Sequence, residues 1–409
     1  MRAPAPTANG AAAAPAYAPL DEVRRTLRVR WYRSPIDPAV LRTLMQRSDL
    51  RGLAQVLGSL GLVAASGVLT YVLFERQVWA GFAAALFLHG TMAGLYGSAN
   101  HELTHGTVFR TKWLGRLFLR VFALLNWFNP YDYALSHTYH HRYTLHPMGD
   151  REEVLPHAPA FKFLYVLQLL TVNFTGGPHT GGMVPLLRMT IRTALGRPLS
   201  RYAGTNVRKD KLEWMAAIYA GHPDERRRSV RWARAVLAFH GAVLAVAIVF
   251  GLWLLPVVIS LAPFIANWWR YLTHLPMHCG LRTNVPDFRK CTRSIKLDPV
   301  SSLLYSHMNW HLEHHMYAGV PCYNLRKLNK VIAADLPERK SLFGAWREMR
   351  AIWRRQLTDP DYQYDMPLPP TANRLDESSP ARGKPVRANG RGEELGASIG
   401  DLAPAAIAD

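Results

Sequence analysis

Residues 52–74 read GLAQVLGSLGLVAASGVLTYVLF, a run of 23 residues without a formal charge. A helix of about 20 apolar residues is long enough to cross the hydrocarbon core of a bilayer, which is about 30 Å thick. A buried helix of a soluble protein is the alternative for any single run, but runs of this length favour a membrane span. We therefore expect this stretch to cross a membrane.

Two further apolar stretches extend the pattern. Residues 77–100 form a second run of 24 residues without a formal charge, and only two residues separate it from the first. Residues 235–281 carry Arg270 as their only formal charge and are long enough for two more spans, with a break near Gly251 or Pro256. The sequence therefore predicts an all-α integral membrane fold with about four transmembrane helices in two hairpins.

The charge distribution predicts the orientation of these helices. The chain has 49 Lys and Arg against 29 Asp and Glu, a formal net charge of +20. Basic residues crowd the segment 101–234, whereas the short loop between the first two spans holds Arg76 alone. Basic loops usually lie on the cytoplasmic side, which would place both termini and a helical cap there. An Arg- and Ala-rich composition is compatible with a bacterial source, so a bacterial inner membrane is the expected location.

The basic charge does not by itself indicate nucleic-acid binding. Anionic lipids at the cytoplasmic face already account for basic residues there. An acidic protein partner is a second explanation, because complementary charge raises association rates. We therefore expect membrane and protein contacts, and no nucleic-acid partner.

Composition divides the chain into one domain and two tails. Residues 1–20 and 366–409 are rich in Pro, Ala, Gly and charge, which predicts disordered tails around a single membrane domain at 21–365. Shorter apolar stretches at 117–128 and 163–187 are interpreted as interfacial or re-entrant helices. Three cysteines without a Cys-x-x-Cys pair make a disulfide framework, a zinc ribbon or an iron–sulfur domain unlikely.

Three histidine clusters follow the predicted spans. Their members are His101 and His105 after the second span, His137, His140 and His141 in the middle segment, and His311, His314 and His315 after the fourth span. Residues at i, i+3 and i+4 share one face of a helix, so each cluster can direct its imidazoles to one point. Zinc usually takes four ligands in total, and eight histidines exceed that number. The pattern indicates a site for two metal ions in the cytoplasmic cap.

The clusters have the spacings H-x-x-x-H, H-x-x-H-H and H-x-x-H-H, and with the spans they resemble the membrane fatty acid desaturase superfamily. This superfamily also contains hydroxylases and carotenoid ketolases, and the resemblance runs from about Asp21 to Gln356. It implies two iron ions in a non-haem diiron centre that uses O₂ as co-substrate. It also implies an external electron donor, such as ferredoxin or cytochrome b5 with its reductase. Carried over residue by residue, the implied metal ligands are His101, His105, His137, His140, His141, His311, His314 and His315.

The resemblance also implies a ninth ligand between the second and third clusters. His278 in Met-His-Cys-Gly-Leu is the expected residue, and His274 one helical turn earlier is the competing choice. Ligating histidines need a partner for their second ring nitrogen. Four acids are near enough in sequence to be candidates, with surface solvation as the alternative: Glu102, Glu313, Asp132 and Asp150. No catalytic residue beyond the metal ligands and no other cofactor-binding residue is predicted.

The implied activity is O₂-dependent desaturation of a fatty acyl chain of a lipid. Hydroxylation or ketolation of a lipid or another hydrophobic substrate at the same diiron site is the first alternative. The sequence His101-Glu102-x-x-His105 also fits the pattern of zinc metalloproteases, in which the glutamate is the general base. An intramembrane protease would leave the six other histidines unexplained. A membrane protein that stores or carries metal is a further alternative.

Overall fold

A computed structural model describes residues 18–152, 159–176, 181–197 and 209–374. The described chain is mostly helical, and two short strands, β1 (Ile295–Lys296) and β2 (Lys340–Ser341), pair in parallel. The helices are α1 (Leu20–Thr26), α2 (Pro38–Leu44), α3 (Asp49–Glu75), α4 (Trp79–Ala93), α5 (Tyr96–Thr104), α6 (Lys112–Leu125), α7 (Pro130–Tyr143), α8 (Phe163–Leu170), α9 (Met183–Ala194), α10 (Lys209–Ala220), α11 (Pro223–Phe250), α12 (Trp268–His274), α13 (Phe288–Cys291), α14 (Pro299–Leu304), α15 (His311–Met316), α16 (Leu325–Ile332) and α17 (Leu342–Gln356). The predicted tails fall largely on residues 1–17 and 375–409, which lie outside the described residues.

Within the described part of the chain, α3 and α11 are the two helices that are long and apolar enough to cross a bilayer. Both present large apolar side chains on their outer surfaces. The exposed ones include Leu57, Leu62, Val68, Leu69 and Val72 on α3 and Leu244, Val246, Ile248, Val249 and Phe250 on α11. Contiguous apolar surface of this kind needs a covering, and a lipid bilayer provides one.

The second predicted span is two helices and not one. The chain turns at Gln77, which has a φ of 57°, and α4 then packs along α3 for 15 residues. At about 1.5 Å per residue, α4 alone is shorter than the hydrocarbon core. It ends at Ala93, and α5 begins at Tyr96 after a two-residue turn. His101 therefore lies on α5 and not on α4.

The fourth predicted span is also interrupted. Of the two predicted break positions, Gly251 is the one at which α11 ends, with a φ of 69° that glycine adopts without steric cost. A π-helical turn at Val257–Leu261 and a 3₁₀ turn at Ala262–Phe264 follow before α12 begins. The second predicted hairpin therefore has one continuous helix and one broken arm.

The stretch predicted to be re-entrant completes the hydrogen bonding of this broken arm. The backbone N–H of Asn173 donates to the carbonyl of Phe264 over 2.8 Å, and the N–H of Ala266 donates to the carbonyl of Thr171 over 2.8 Å. Irregular backbone at membrane depth is tolerated only where protein groups satisfy it. The link between α8 and α9 provides those groups.

A buried ion cluster around Arg289 holds both ends of the described chain together. The Arg289 guanidinium contacts Asp287 at 2.9 Å and Asp335 at 2.8 Å. Asp335 also accepts a hydrogen bond from the hydroxyl of Tyr32 at 2.7 Å and one from the backbone N–H of Asn373 at 2.7 Å. We call these five residues the Arg289 cluster. Because Asn373 is held there, the packed chain extends past residue 366, where the sequence suggested that a tail begins.

Candidate metal centre

The three predicted clusters lie on α5, α7 and α15, and local sequence fixes each helix. The side chain of Asn129 caps α7 by accepting hydrogen bonds from the N–H groups of Tyr131 and Asp132, and Pro130 occupies its first turn. This start sets the register in which the histidines of α7 share the inner face. The third cluster begins at the first residue of α15, directly after a 3₁₀ turn at Met308–Trp310.

The structure brings all nine sequence-predicted histidines together in two buried groups. In each group the candidate ligand atoms lie within 4.8 Å of one another. The first group is His101, His105, His137, His141 and His314, and the second is His140, His278, His311 and His315. Each of the predicted clusters on α7 and α15 is divided between the two groups, so adjacent histidines on one helix belong to different groups.

The Nε2 atoms of the first group converge. His141 Nε2 lies 2.9 Å from His137 Nε2, which lies 3.2 Å from His105 Nε2. His105 Nε2 is in turn 3.5 Å from His101 Nε2. Two imidazole nitrogens bound at right angles to one metal, each at about 2.1 Å, would be about 3.0 Å apart. The spacing of this group therefore fits a shared metal ion.

The second group has the same spacing. His311 Nε2 lies 3.0 Å from His278 Nε2 and 3.1 Å from His315 Nε2. His315 Nε2 also lies 3.2 Å from His140 Nε2. Four nitrogens at these distances fit a second ion and leave coordination positions for oxygen ligands.

Hydrogen bonds on the other side of the rings determine which nitrogen is free. The Nδ1–H of His140 donates to Asp150 at 2.9 Å, and that of His278 donates to the carbonyl of Cys291 at 2.9 Å. Their Nε2 atoms therefore carry lone pairs, which are directed at the neighbouring histidines of the second group. Lone pairs directed to the middle of a group of imidazoles can bind a cation, so the donor set fits metal ions.

Burial keeps these rings in the form that binds metals. Desolvation, with the neighbouring His140 adding to it, lowers the pKa of His105 to about 3 and that of His278 to about 3. The rings are therefore neutral at pH 7, and neutral imidazole is the ligand form.

Two of the four candidate acids contact predicted ligands. Asp150 bonds His140; burial favours its neutral form, but His140 and its hydrogen bond keep the pKa of Asp150 below its usual range. A Glu102 oxygen lies 3.3 Å from His101 Nδ1 and 3.4 Å from His314 Nδ1, and burial raises the pKa of Glu102 to about 8. Glu102 thus lies behind two rings of the first group.

The other two acids serve packing in the described structure. Glu313 accepts hydrogen bonds from Ser294 and Asn329, each at 2.5 Å. Asp132 accepts one from Ser229 at 2.6 Å. Both carboxylates therefore hold separate segments of the chain together.

Sequence reasoning missed Glu152. Its Oε1 accepts a hydrogen bond from His137 Nδ1 at 2.8 Å. A signal was available, because Glu152 follows Asp150 by two residues in a turn that returns the chain to α7.

His278 and His274 are the two candidates for the ninth ligand, and they lie in different surroundings. His278 is buried in the second group, whereas His274 is exposed at the end of α12. The structure thus places His278, and not His274, where a ligand would be.

Asp150→Asn is expected to weaken metal binding about 10–100-fold, because the partner that orients His140 loses its charge. Competition with a chelator of known affinity, applied to the purified full-length protein, measures this change. Asp365→Asn is the matched control, since the Asp365 side chain is 56% exposed and pairs with Lys290. Equal affinities in the two variants would contradict the role of Asp150.

Comparison with known proteins gives one clear result. A model of the family described as fatty acid desaturase matches residues 77–346, which is more than half of the chain and includes all nine histidines. No curated protein is similar enough to the chain to count as a match. Since the family match covers the two histidine groups and the helices that carry them, the chain belongs to the fatty acid desaturase family.

Proposed function

We propose that the protein desaturates a fatty acyl chain in a membrane, using O₂ and electrons from an external donor. The observation that carries this proposal is the convergence of nine buried histidines into a group of five and a group of four. Two iron ions held there would supply the oxidation of an unactivated C–H bond. In the overall reaction the fatty acyl chain loses two vicinal hydrogen atoms. O₂ combines with these two hydrogen atoms, two electrons and two protons to form two water molecules.

The residues of this chain hold and orient the site. The nine Nε2 atoms would bind the metals, while Asp150, Glu152 and the carbonyl of Cys291 fix three rings through their Nδ1 atoms. Glu102 lies beside two more rings, 3.3 Å from His101 Nδ1 and 3.4 Å from His314 Nδ1. Burial of all nine histidines excludes bulk water, which protects a reactive site from side reactions.

Hydroxylation or ketolation is the alternative within the same family. In hydroxylation one oxygen atom enters the product and the other becomes water, with the same two electrons and two protons. The two outcomes use the same ligands, and the position of the chain relative to the centre decides between them.

A zinc protease is a poorer fit to the geometry. Its general base must face the metal-bound water, on the Nε2 side of the ligands. Glu102 contacts the Nδ1 atoms of His101 and His314, on the opposite side of these rings. Nine histidines also exceed the four ligands that zinc usually takes.

We further propose a bacterial inner membrane location with both termini and the metal centre on the cytoplasmic side. The excess of basic residues in segment 101–234 supports this orientation. A reduced ferredoxin, or cytochrome b5 with its reductase, would supply the electrons. An acidic donor would associate faster with this basic face at low ionic strength.

High-resolution mass spectrometry of lipids from cells that express the protein with a ferredoxin system tests the proposal. We expect products that lack two hydrogens, and we expect them to be absent from cells that express His314→Ala. Fragmentation of the products would locate the double bond.

Two other results would change the assignment. Products that gain oxygen in the wild type alone would establish the hydroxylase alternative. Identical lipids in both strains, together with zinc and no iron in the purified protein, would refute the diiron proposal.

A further inference from the structure

Arg270 on α12 is the only formal charge in the stretch 235–281. No described residue forms an ion pair or a hydrogen bond with its guanidinium. The side chain is partly buried, so one part of it stays accessible to a ligand. A cation without a counterion inside an apolar stretch of this length is costly, so the position calls for an anion.

A second hydrogen-bond donor points to the same place. A Cβ atom placed on Gly97 would lie 3.6 Å from Asn126 Nδ2 and 3.8 Å from Arg270 Nη2. The Asn126 side chain is buried and forms no hydrogen bond with a described residue. The missing side chain of Gly97 thus leaves room for one carbon-sized group in van der Waals contact with both donors, and Gly97 itself is partly exposed.

This space lies beside the first histidine group. Gly97 precedes His101 by four residues on α5, so the two share a helix face about 6 Å apart along the axis. Tyr133 lies within electrostatic range of Arg270 and stacks on His137, with ring centroids 4.6 Å apart. An anion held over Gly97 would therefore be one helical turn from the metal centre.

We propose that Arg270 and Asn126 bind the carboxylate of a free fatty acid substrate over Gly97. A carboxylate offers two acceptor oxygens and a negative charge that neutralises the guanidinium. A hydroxyl or an ester carbonyl would leave the positive charge of Arg270 uncompensated. The inference rests on the proposed function and adds the substrate class. Its consequence is oxidation near the carboxyl end of the chain, because the head group is fixed close to the metals.

Binding without turnover tests this site directly. The full-length, iron-loaded protein in phosphatidylcholine nanodiscs is titrated with dodecanoate and with methyl dodecanoate. We expect Arg270→Met to weaken dodecanoate binding by at least about tenfold and to leave the ester unchanged. Arg350→Met, an exposed position on α17, is the matched control and should bind both probes like the wild type.

Two further variants separate binding from folding. Gly97→Ala adds a methyl group at ordinary contact distance from both donors, so it should keep the iron content while blocking the carboxylate. Asn126→Asp replaces a hydrogen-bond donor with a carboxylate, which repels the carboxylate of dodecanoate, so this variant should also weaken dodecanoate binding. Iron content equal to that of the wild type shows that each variant is folded.

Three outcomes would overturn the carboxylate site. In the first, the wild type binds dodecanoate and methyl dodecanoate with equal affinity. In the second, both Arg270→Met and Gly97→Ala bind dodecanoate like the wild type. In the third, equimolar inorganic phosphate displaces dodecanoate. The titration measures binding and not oxidation, so the two proposals can fail separately. Arg270-dependent binding of dodecanoate by a protein that yields no oxidised lipid would refute the proposed reaction alone. Oxidised products without Arg270-dependent binding would refute the carboxylate site alone.

Discussion

His315→Ala is expected to remove both metal and activity. His315 Nε2 lies between His311 and His140 in the second group, at 3.1 and 3.2 Å, and its Nδ1 contacts the hydroxyl of Thr144 at 3.1 Å. Loss of a ligand should exceed the effect of losing a supporting hydrogen bond, so we expect iron affinity to fall more than about 100-fold. Elemental analysis and O₂ consumption with a reduced donor measure the two effects.

His274→Ala is the control for this variant. His274 is exposed and belongs to neither histidine group, so its replacement should leave iron content and O₂ consumption unchanged. Normal iron and activity in His315→Ala would disprove the ligand assignment. Loss of iron in His274→Ala would show that the ninth ligand has been misplaced.

Arg289→Met is expected to have the largest effect on stability. The Arg289 side chain is fully buried and faces Asp287 and Asp335, so the substitution leaves two carboxylates without their cation. Breaking a buried ion pair in this way costs about 3–5 kcal/mol of unfolding free energy. Thermal unfolding of the purified protein in detergent would show a correspondingly lower Tm.

Arg282→Met provides the comparison. Arg282 pairs with Asp365 at 3.5 Å, and the side chains are 35% and 56% exposed. Exposed ion pairs contribute about 0–1 kcal/mol, so this variant should unfold almost like the wild type. Similar losses in the two variants would mean that the Arg289 cluster does not hold the ends of the chain.

The histidine clusters could be found from spacing because i, i+3 and i+4 positions share a helix face whatever the rest of the fold does. Their division between two centres could not, since it depends on how α5, α7 and α15 cross. His140 and His141 are adjacent in sequence, yet they belong to different groups. Only the relative placement of distant helices decides that.

The residues around the ligands were harder to predict for the same reason. Glu152 supports His137 from a turn outside any cluster, whereas Glu313 lies inside a cluster and bonds Ser294 and Asn329. Nearness in sequence therefore identified only some of the residues that contact the histidine rings. The family resemblance, which rests on the clusters and the spans, is confirmed by the family match.

Hydropathy located the apolar stretches but not their shape. The run 77–100 contains no charge that would mark the break between α4 and α5 or the packing of α4 against the broken arm. A Cβ on Gly90 would lie 2.6 Å from the carbonyl oxygen of Ile265, so the backbones approach closely there. Uniformly apolar sequence carries little information about such contacts.

The hydrogen bonds between Thr171–Asn173 and the broken arm have a consequence for biosynthesis. A ribosome completes the earlier segment first, so Thr171 and Asn173 are already present when Phe264 and Ala266 emerge. Backbone groups without partners are costly in lipid, so these hydrogen bonds favour the transfer of the later segment from the translocation machinery to the bilayer. The order of translation thus supplies the acceptor and donor before they are needed, and exchanging the order of these segments in a permuted gene should trap the protein during insertion.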